Sequence, residues 1–131
     1  MGRVAGVDYG KKRVGIAISD TSRRIAIPHT VVKREEFLKR IKELIGEKDI
    51  DTVVFGLPLS MSGKELELSE EIRRVAQQLK RETGVRVILK DERFTSKIVE
   101  NKFGKKGPID HYSAGVILQE YLDFGGGEEV H

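Results

Sequence analysis

Acidic residues stand at three points from which a folded chain could gather them: Asp8, the adjacent pair Asp91-Glu92, and Asp110. Asp8 interrupts the apolar run that starts at Val4, Asp91-Glu92 follows the run Val85-Arg-Val-Ile-Leu89, and Asp110 opens an apolar pattern near the C-terminus. Carboxylates brought together repel one another unless cations lie between them. Oxygen-only ligands of this kind suit hard divalent ions, and two such ions held by Asp and Glu are equipped for phosphodiester hydrolysis. Each acid also has an ordinary role available. Asp8 can initiate a turn, Asp110 can favour the positive end of a helix, and Glu92 can pair with Arg93.

Cations accompany the acids. Lys11, Lys12 and Arg13 follow Asp8-Tyr-Gly10 directly and are candidates for phosphate contacts, with Lys105 and Lys106 as a second set before Asp110. The chain has only three histidines, and of these His111, beside Asp110, could tune the site or assist a proton transfer. With aromatic residues at 6%, extensive base stacking is not expected.

The elements that must position these residues follow from periodicity. Val4 to Val7 has the continuous apolar character of a strand buried on both faces. After a tight turn at Gly10, Val14, Ile16 and Ile18 alternate with Gly15, Ala17 and Ser19, leaving a small-residue face that a helix or ligand could approach closely. Ile25 to Val32 makes a third strand, and Pro28 predicts an edge position or a bulge. A helical stripe spans Glu35 to Ile45, a strand covers Thr52 to Gly56, and Ser62-Gly-Lys-Glu65 has the form of a capping box for a helix reaching about Thr83. The strand Val85–Leu89, a short helix over 97–103 and a last helix from about Ile109 to Leu122 complete the series, with residues 125–131 as a flexible tail. Three meander strands followed by strand-helix-strand units give a mixed α/β sheet: an antiparallel three-strand meander plus parallel strands, five in all, with helices on both faces. Parallel strands align their C-terminal ends, so Asp8, Gly56 and Asp91-Glu92 would share one edge.

Composition sets bounds on this picture. At 131 residues, 38% apolar and 34% charged, the chain suits one highly charged globular domain, here 1–124. No apolar run approaches the roughly 20 residues of a membrane span. The N-terminus opens directly on a strand pattern without an export segment, and there is no cysteine, so the expected location is the cytoplasm. A net charge of +3 is modest, but its clustering suits a polyanionic partner.

Taken together, Gly6-Val-Asp-Tyr-Gly10, Lys12-Arg-Val-Gly15 through Ser19-Asp20, Gly56-Leu-Pro58 with Gly63, Asp91-Glu-Arg-Phe-Thr95, and Ile109-Asp110 with Ala114 and Ile117-Leu-Gln119-Glu-Tyr-Leu122 resemble the YqgF/RuvX family. Its members are described as Holliday junction resolvases and, in bacteria, as pre-16S rRNA nucleases. The resemblance covers essentially the whole chain. It implies a ribonuclease H-like fold, with Asp8, Glu92 and Asp110 as the catalytic, metal-holding positions and Asp91 left in a supporting place. It implies Mg²⁺ or Mn²⁺, two ions, and a nucleic acid partner, with the chain a monomer or a homodimer. The chain departs from the family in a shorter basic segment before Asp110, in Phe94-Thr95-Ser96 after Arg93, and in Ser113-Ala114 where paired alanines are usual.

Maturation of the 5′ end of pre-16S rRNA is the leading function, with resolution of branched DNA as a close alternative. A non-catalytic RNA-binding adaptor that keeps the fold is a third reading. The Asp-x-Gly hairpin also resembles the first phosphate loop of the actin and sugar-kinase group. Those proteins close two related domains around ATP, and this length provides one.

Overall fold

The computed structural model describes residues 2–92 and 109–131, with residues 109–112 described by their backbone alone. Three strands open the chain: β1 (Arg3–Tyr9), β2 (Arg13–Ser19) and β3 (Ala26–Lys33). A 3-10 turn, Arg34–Glu36, leads into α1 (Phe37–Glu47), followed by β4 (Ile50–Leu57), α2 (Glu67–Thr83), β5 (Arg86–Asp91), α3 (Ile109–Phe124) and β6 (Glu128–Val130). The sheet order is β3-β2-β1-β4-β5-β6. β1 to β3 form the antiparallel meander, while β1, β4 and β5 run parallel. The mixed sheet with helices on both faces is therefore as the pattern predicts, but it has six strands where five were expected.

The sixth strand lies in the segment expected to be a loose tail. Gly125, Gly126 and Gly127 take φ of +66°, +84° and +92°, a left-handed run that favours glycine and turns the chain back beside β5. β6 then pairs antiparallel with β5 and buries Val130. The same glycines that give the tail a flexible composition make the reversal possible.

Alternation divides the sheet's side chains between two cores. Val7, Ile16, Phe55 and Leu89 pack against Phe37, Ile41 and Leu44 of α1 and Ile72, Ala76 and Leu79 of α2. Val4, Ala17, Val54 and Ile88 pack on the other face against Ala114, Ile117 and Leu118 of α3. The small-residue side of β2 thus receives a helix, through Ala17. Gly6 sets how near α3 comes: a Cβ there would stand 2.5 Å from Leu118 Cβ and 2.8 Å from the Ala114 carbonyl oxygen. Gln119 fastens the same helix to the meander by accepting from Ala26 N–H and donating to the Arg24 carbonyl.

β3 is an edge strand, and its register shifts so that Thr30 pairs with Ile16 and Pro28 with Ala17, which accommodates Pro28 as predicted. The helix after β4 starts later than the capping-box pattern predicts. Ser62 and Glu65 instead lie in a loop closed by Gly63 N–H to the Ser60 carbonyl and Ser60 N–H to the Lys64 carbonyl. Ser69 takes over at the helix start, accepting from Leu66 N–H and donating to the Pro58 carbonyl. Glu65 bonds Arg73 rather than a backbone amide. Among the described residues, no helix is long and apolar enough to cross a membrane.

Candidate active site

Three parallel strand ends meet at one sheet edge. Val4 and Gly6 of β1 face α3, so Asp8, two residues further along, stands on that face as well, opposite Gly15 of β2 in the ladder. On β4, Val54 faces α3 and Gly56 follows it at the edge. On β5, Ile88 faces α3 and Lys90 continues that face, its ammonium donating to the Gly125 carbonyl at 2.7 Å. Glu92 lies one residue past β5, and its N–H extends the parallel ladder to the Leu57 carbonyl at 3.2 Å.

The side chain of Glu92 lies over Gly56. A Cβ on Gly56 would stand 2.7 Å from Glu92 Oε2 and 2.5 Å from Ile117 Cδ1. The absence of a side chain at 56 thus opens the space that the carboxylate occupies between sheet and helix. Burial, followed by the charges of Asp8 and Asp91, pushes the Glu92 carboxyl up to about 8. Asp91 pairs with Leu57 in the ladder, falls on the face opposite Glu92 and is exposed. Parity along β5 therefore distinguishes the two neighbouring acids, which the sequence pattern alone leaves open.

Asp110 stands in the first turn of α3, one helical turn before Ala114, whose carbonyl lies over Gly6. Its side chain and that of His111 belong to the four helix residues described by backbone alone. Among the described residues no three His, Asp or Glu side chains form a common ligand set. Asp8 and Glu92 nevertheless fit a hard cation. They are oxygen donors, and positive charge beside them would offset the burial and repulsion that favour the protonated form of Glu92.

The turn joining β1 to β2 rises from the same edge. Gly10 N–H donates to the Arg13 carbonyl at 2.9 Å, and a Cβ on Gly10 would stand 2.7 Å from that oxygen. Lys11, Lys12 and Arg13 are exposed on this tight turn, next in sequence to the acid. Lys105 and Lys106 lie outside the described residues, as does the helix predicted over 97–103. The sequence pattern did not disclose the room that Gly56 leaves for the Glu92 carboxylate, or the bond from Lys90 to the Gly125 carbonyl. The available signal was their period-two spacing on β4 and β5, which becomes decisive once the face of each strand is known.

The family model described as "RuvX: Holliday junction resolvase" matches residues 2–124. A protein of Endomicrobium trichonymphae named "Putative pre-16S rRNA nuclease" is 36% identical, with 94% of this chain and 96% of that one covered. A relative of the same name from Sulfurihydrogenibium sp. is 37% identical over 94% of this chain and 91% of its own. Among solved structures, Thermus thermophilus RuvC superposes with a TM-score of 0.66 at 14% identity, covering 98% of this chain and 99% of that one. At that identity the likeness speaks for a shared RuvC-like, ribonuclease H-like fold.

Proposed function

The chain belongs to the RuvX family, and from that membership and its paired carboxylates we propose a metal-dependent endonuclease that matures the 5′ end of pre-16S rRNA. The observation that carries the chemistry is the half-buried Glu92 carboxylate, which lies over Gly56 at the strand ends and is pushed up to about 8 by desolvation and then by the charges of Asp8 and Asp91. The name borne by relatives at 36% and 37% identity supports the RNA substrate.

Asp8 and Glu92, with Asp110 as third ligand, would hold the divalent cations, Mg²⁺ or Mn²⁺. When bound, such ions supply an activated hydroxide and stabilise the leaving 3′ oxygen of a phosphodiester. Asp8 stands in β1 and Glu92 just past the end of β5, so the place of the ions they would hold follows the sheet rather than a loop. Gly56 keeps the Glu92 carboxylate at its place. Lys11, Lys12 and Arg13 bind backbone phosphates on either side of the cut, and Lys105 and Lys106 add a second basic contact. Recognition of this kind reads the sugar-phosphate path and shape of the substrate rather than its base sequence.

The family model's description favours a second substrate, the four-way DNA junction. The deciding experiment offers the purified protein a labelled 5′-extended small-subunit rRNA precursor and a four-way junction, each with Mg²⁺, Mn²⁺ or EDTA. Cutting of the RNA that EDTA abolishes is the expected result. Cutting confined to the junction makes the protein a resolvase. Binding of RNA without any cutting makes it an adaptor.

A further inference from the structure

The acids occupy one face of the sheet edge, and the opposite face carries a cleft that the chemistry above does not use. It has a volume of about 370 Å³ and lies between the start of α1 and the first half of α2. Arg34, Glu35, Glu71 and Arg74 supply its charged walls, over a floor that includes Tyr9 and Leu38. Tyr9 directly follows Asp8, and Arg34 N–H donates to the Lys12 carbonyl at 3.0 Å. Cleft and acid site are therefore the two sides of one basic turn.

The charges in the cleft are incompletely matched. Tyr9 Oη donates to Glu71 at 2.9 Å, whereas Arg34 approaches the same carboxylate at 3.3 and 3.4 Å, longer than a good charge-assisted bond. Arg74 has no hydrogen bond or ion pair among the described residues. Its neighbour Arg73, by contrast, bonds both Glu65 and Glu128. A guanidinium without a partner among the described residues, beside one held loosely, is suited to a phosphate, which a planar fork of donors can grip at two oxygens. A bare anion would gain from the two arginines but be repelled by Glu35 and Glu71. A nucleotide satisfies both sets, since its phosphate is anionic and its base carries N–H donors for carboxylates. The volume falls within the roughly 300–1,000 Å³ of small-ligand clefts, which suits one nucleotide and excludes a duplex.

We infer that this cleft binds one unpaired nucleotide of the substrate strand, across the β1–β2 turn from the scissile phosphate, with its phosphate on Arg34 and Arg74. The inference rests on the nuclease reading, and it specifies that the substrate has a single-stranded segment beside the cut.

The test measures binding separately from cleavage. In an Asp8→Asn background, fluorescence anisotropy compares a structured RNA that ends at the scissile phosphate with the same RNA carrying a single-stranded extension. Arg74→Ala should weaken binding of the extended RNA about tenfold and lower its salt slope by about 1, leaving the shorter RNA unaffected. Arg74→Glu should weaken it further, and with Asp8 intact both variants should raise KM more than they lower kcat. Because the chain has no cysteine, Arg74→Cys gives a single site for a photo-crosslinker, which should capture the extension and not the duplex. Equal losses on both RNAs, or no loss, would overturn the cleft while the nuclease stands. A wild-type protein that neither binds nor cuts nucleic acid would overturn both.

Discussion

At the scale of single residues, Gly56 and Glu92 can be separated from the fold that carries them. The atoms that a Cβ at 56 would strike are the far ends of two side chains, Ile117 Cδ1 and the Glu92 carboxylate. Gly56→Ala should therefore fold with a thermal midpoint near that of the wild type, while cleavage falls on the order of 100-fold because the carboxylate is displaced. Glu92 also predicts a pH dependence for the cation-free protein. Below the ordinary value of 4.5, Glu92 is protonated both folded and unfolded. Between 4.5 and about 8 the folded protein keeps a proton that the unfolded chain has released, so stability falls as pH rises through that window. Glu92→Gln removes this dependence. Thermal melts in EDTA should show the variant more stable than wild type at about pH 9 and equal to it at about pH 4. The place of Asp8 at the end of the first strand was legible in the sequence because it breaks an apolar run. Which of Asp91 and Glu92 shares the face of α3 was not, because adjacent strand residues point to opposite faces and their order does not say which face holds the helix. The Glu92–Gly56 contact was equally hidden, since it joins two strands that only the folded sheet makes neighbours.

At the scale of elements, α3 is held by close approach, and this gives the sharpest stability prediction. A methyl group at Gly6 meets Leu118 Cβ and the Ala114 carbonyl, neither of which can rotate away. Gly6→Ala should cost roughly 3 kcal/mol or more, read as a lowered denaturation midpoint, and should loosen the helix that carries Asp110. The Gly6/Gly56 pair thus separates damage to the fold from damage to the site. Most elements were visible as periodicity: the alternation of β2, the stripes of α1 and α2, and Pro28 on an edge strand. Two features were not. Ser62 and Glu65 have the spacing of a capping box, yet the loop's own turn claims Ser60, Gly63 and Lys64, and Ser69 bonds the Pro58 carbonyl instead. β6 follows three glycines whose composition looks loose, although their left-handed conformations direct the strand onto β5. Local composition could not report either pairing, because each partner lies elsewhere in the chain.

At the scale of the whole molecule, a net charge of only +3 is arranged so that a basic turn stands over one sheet edge, with acids on one side and the Arg34–Arg74 cleft on the other. A polyanion would meet cations first and carboxylates only at the point of cutting, so affinity for RNA should fall steeply with salt. Neutralising Lys11 and Lys12 together should reduce the salt slope by about 2 and leave the single-turnover rate at saturating protein nearly unchanged. Asp8 is proposed to serve the chemistry rather than the fold or the grip on substrate. Single-turnover cleavage of the 5′-extended small-subunit rRNA precursor in Mg²⁺, with saturating wild-type or Asp8→Asn protein, separates these roles. Asp8→Asn should lose activity on the order of 1,000-fold or more, with RNA affinity kept or slightly raised. An Asp8→Asn protein that binds the RNA and cuts it within about tenfold of the wild-type rate would rule out a catalytic Asp8.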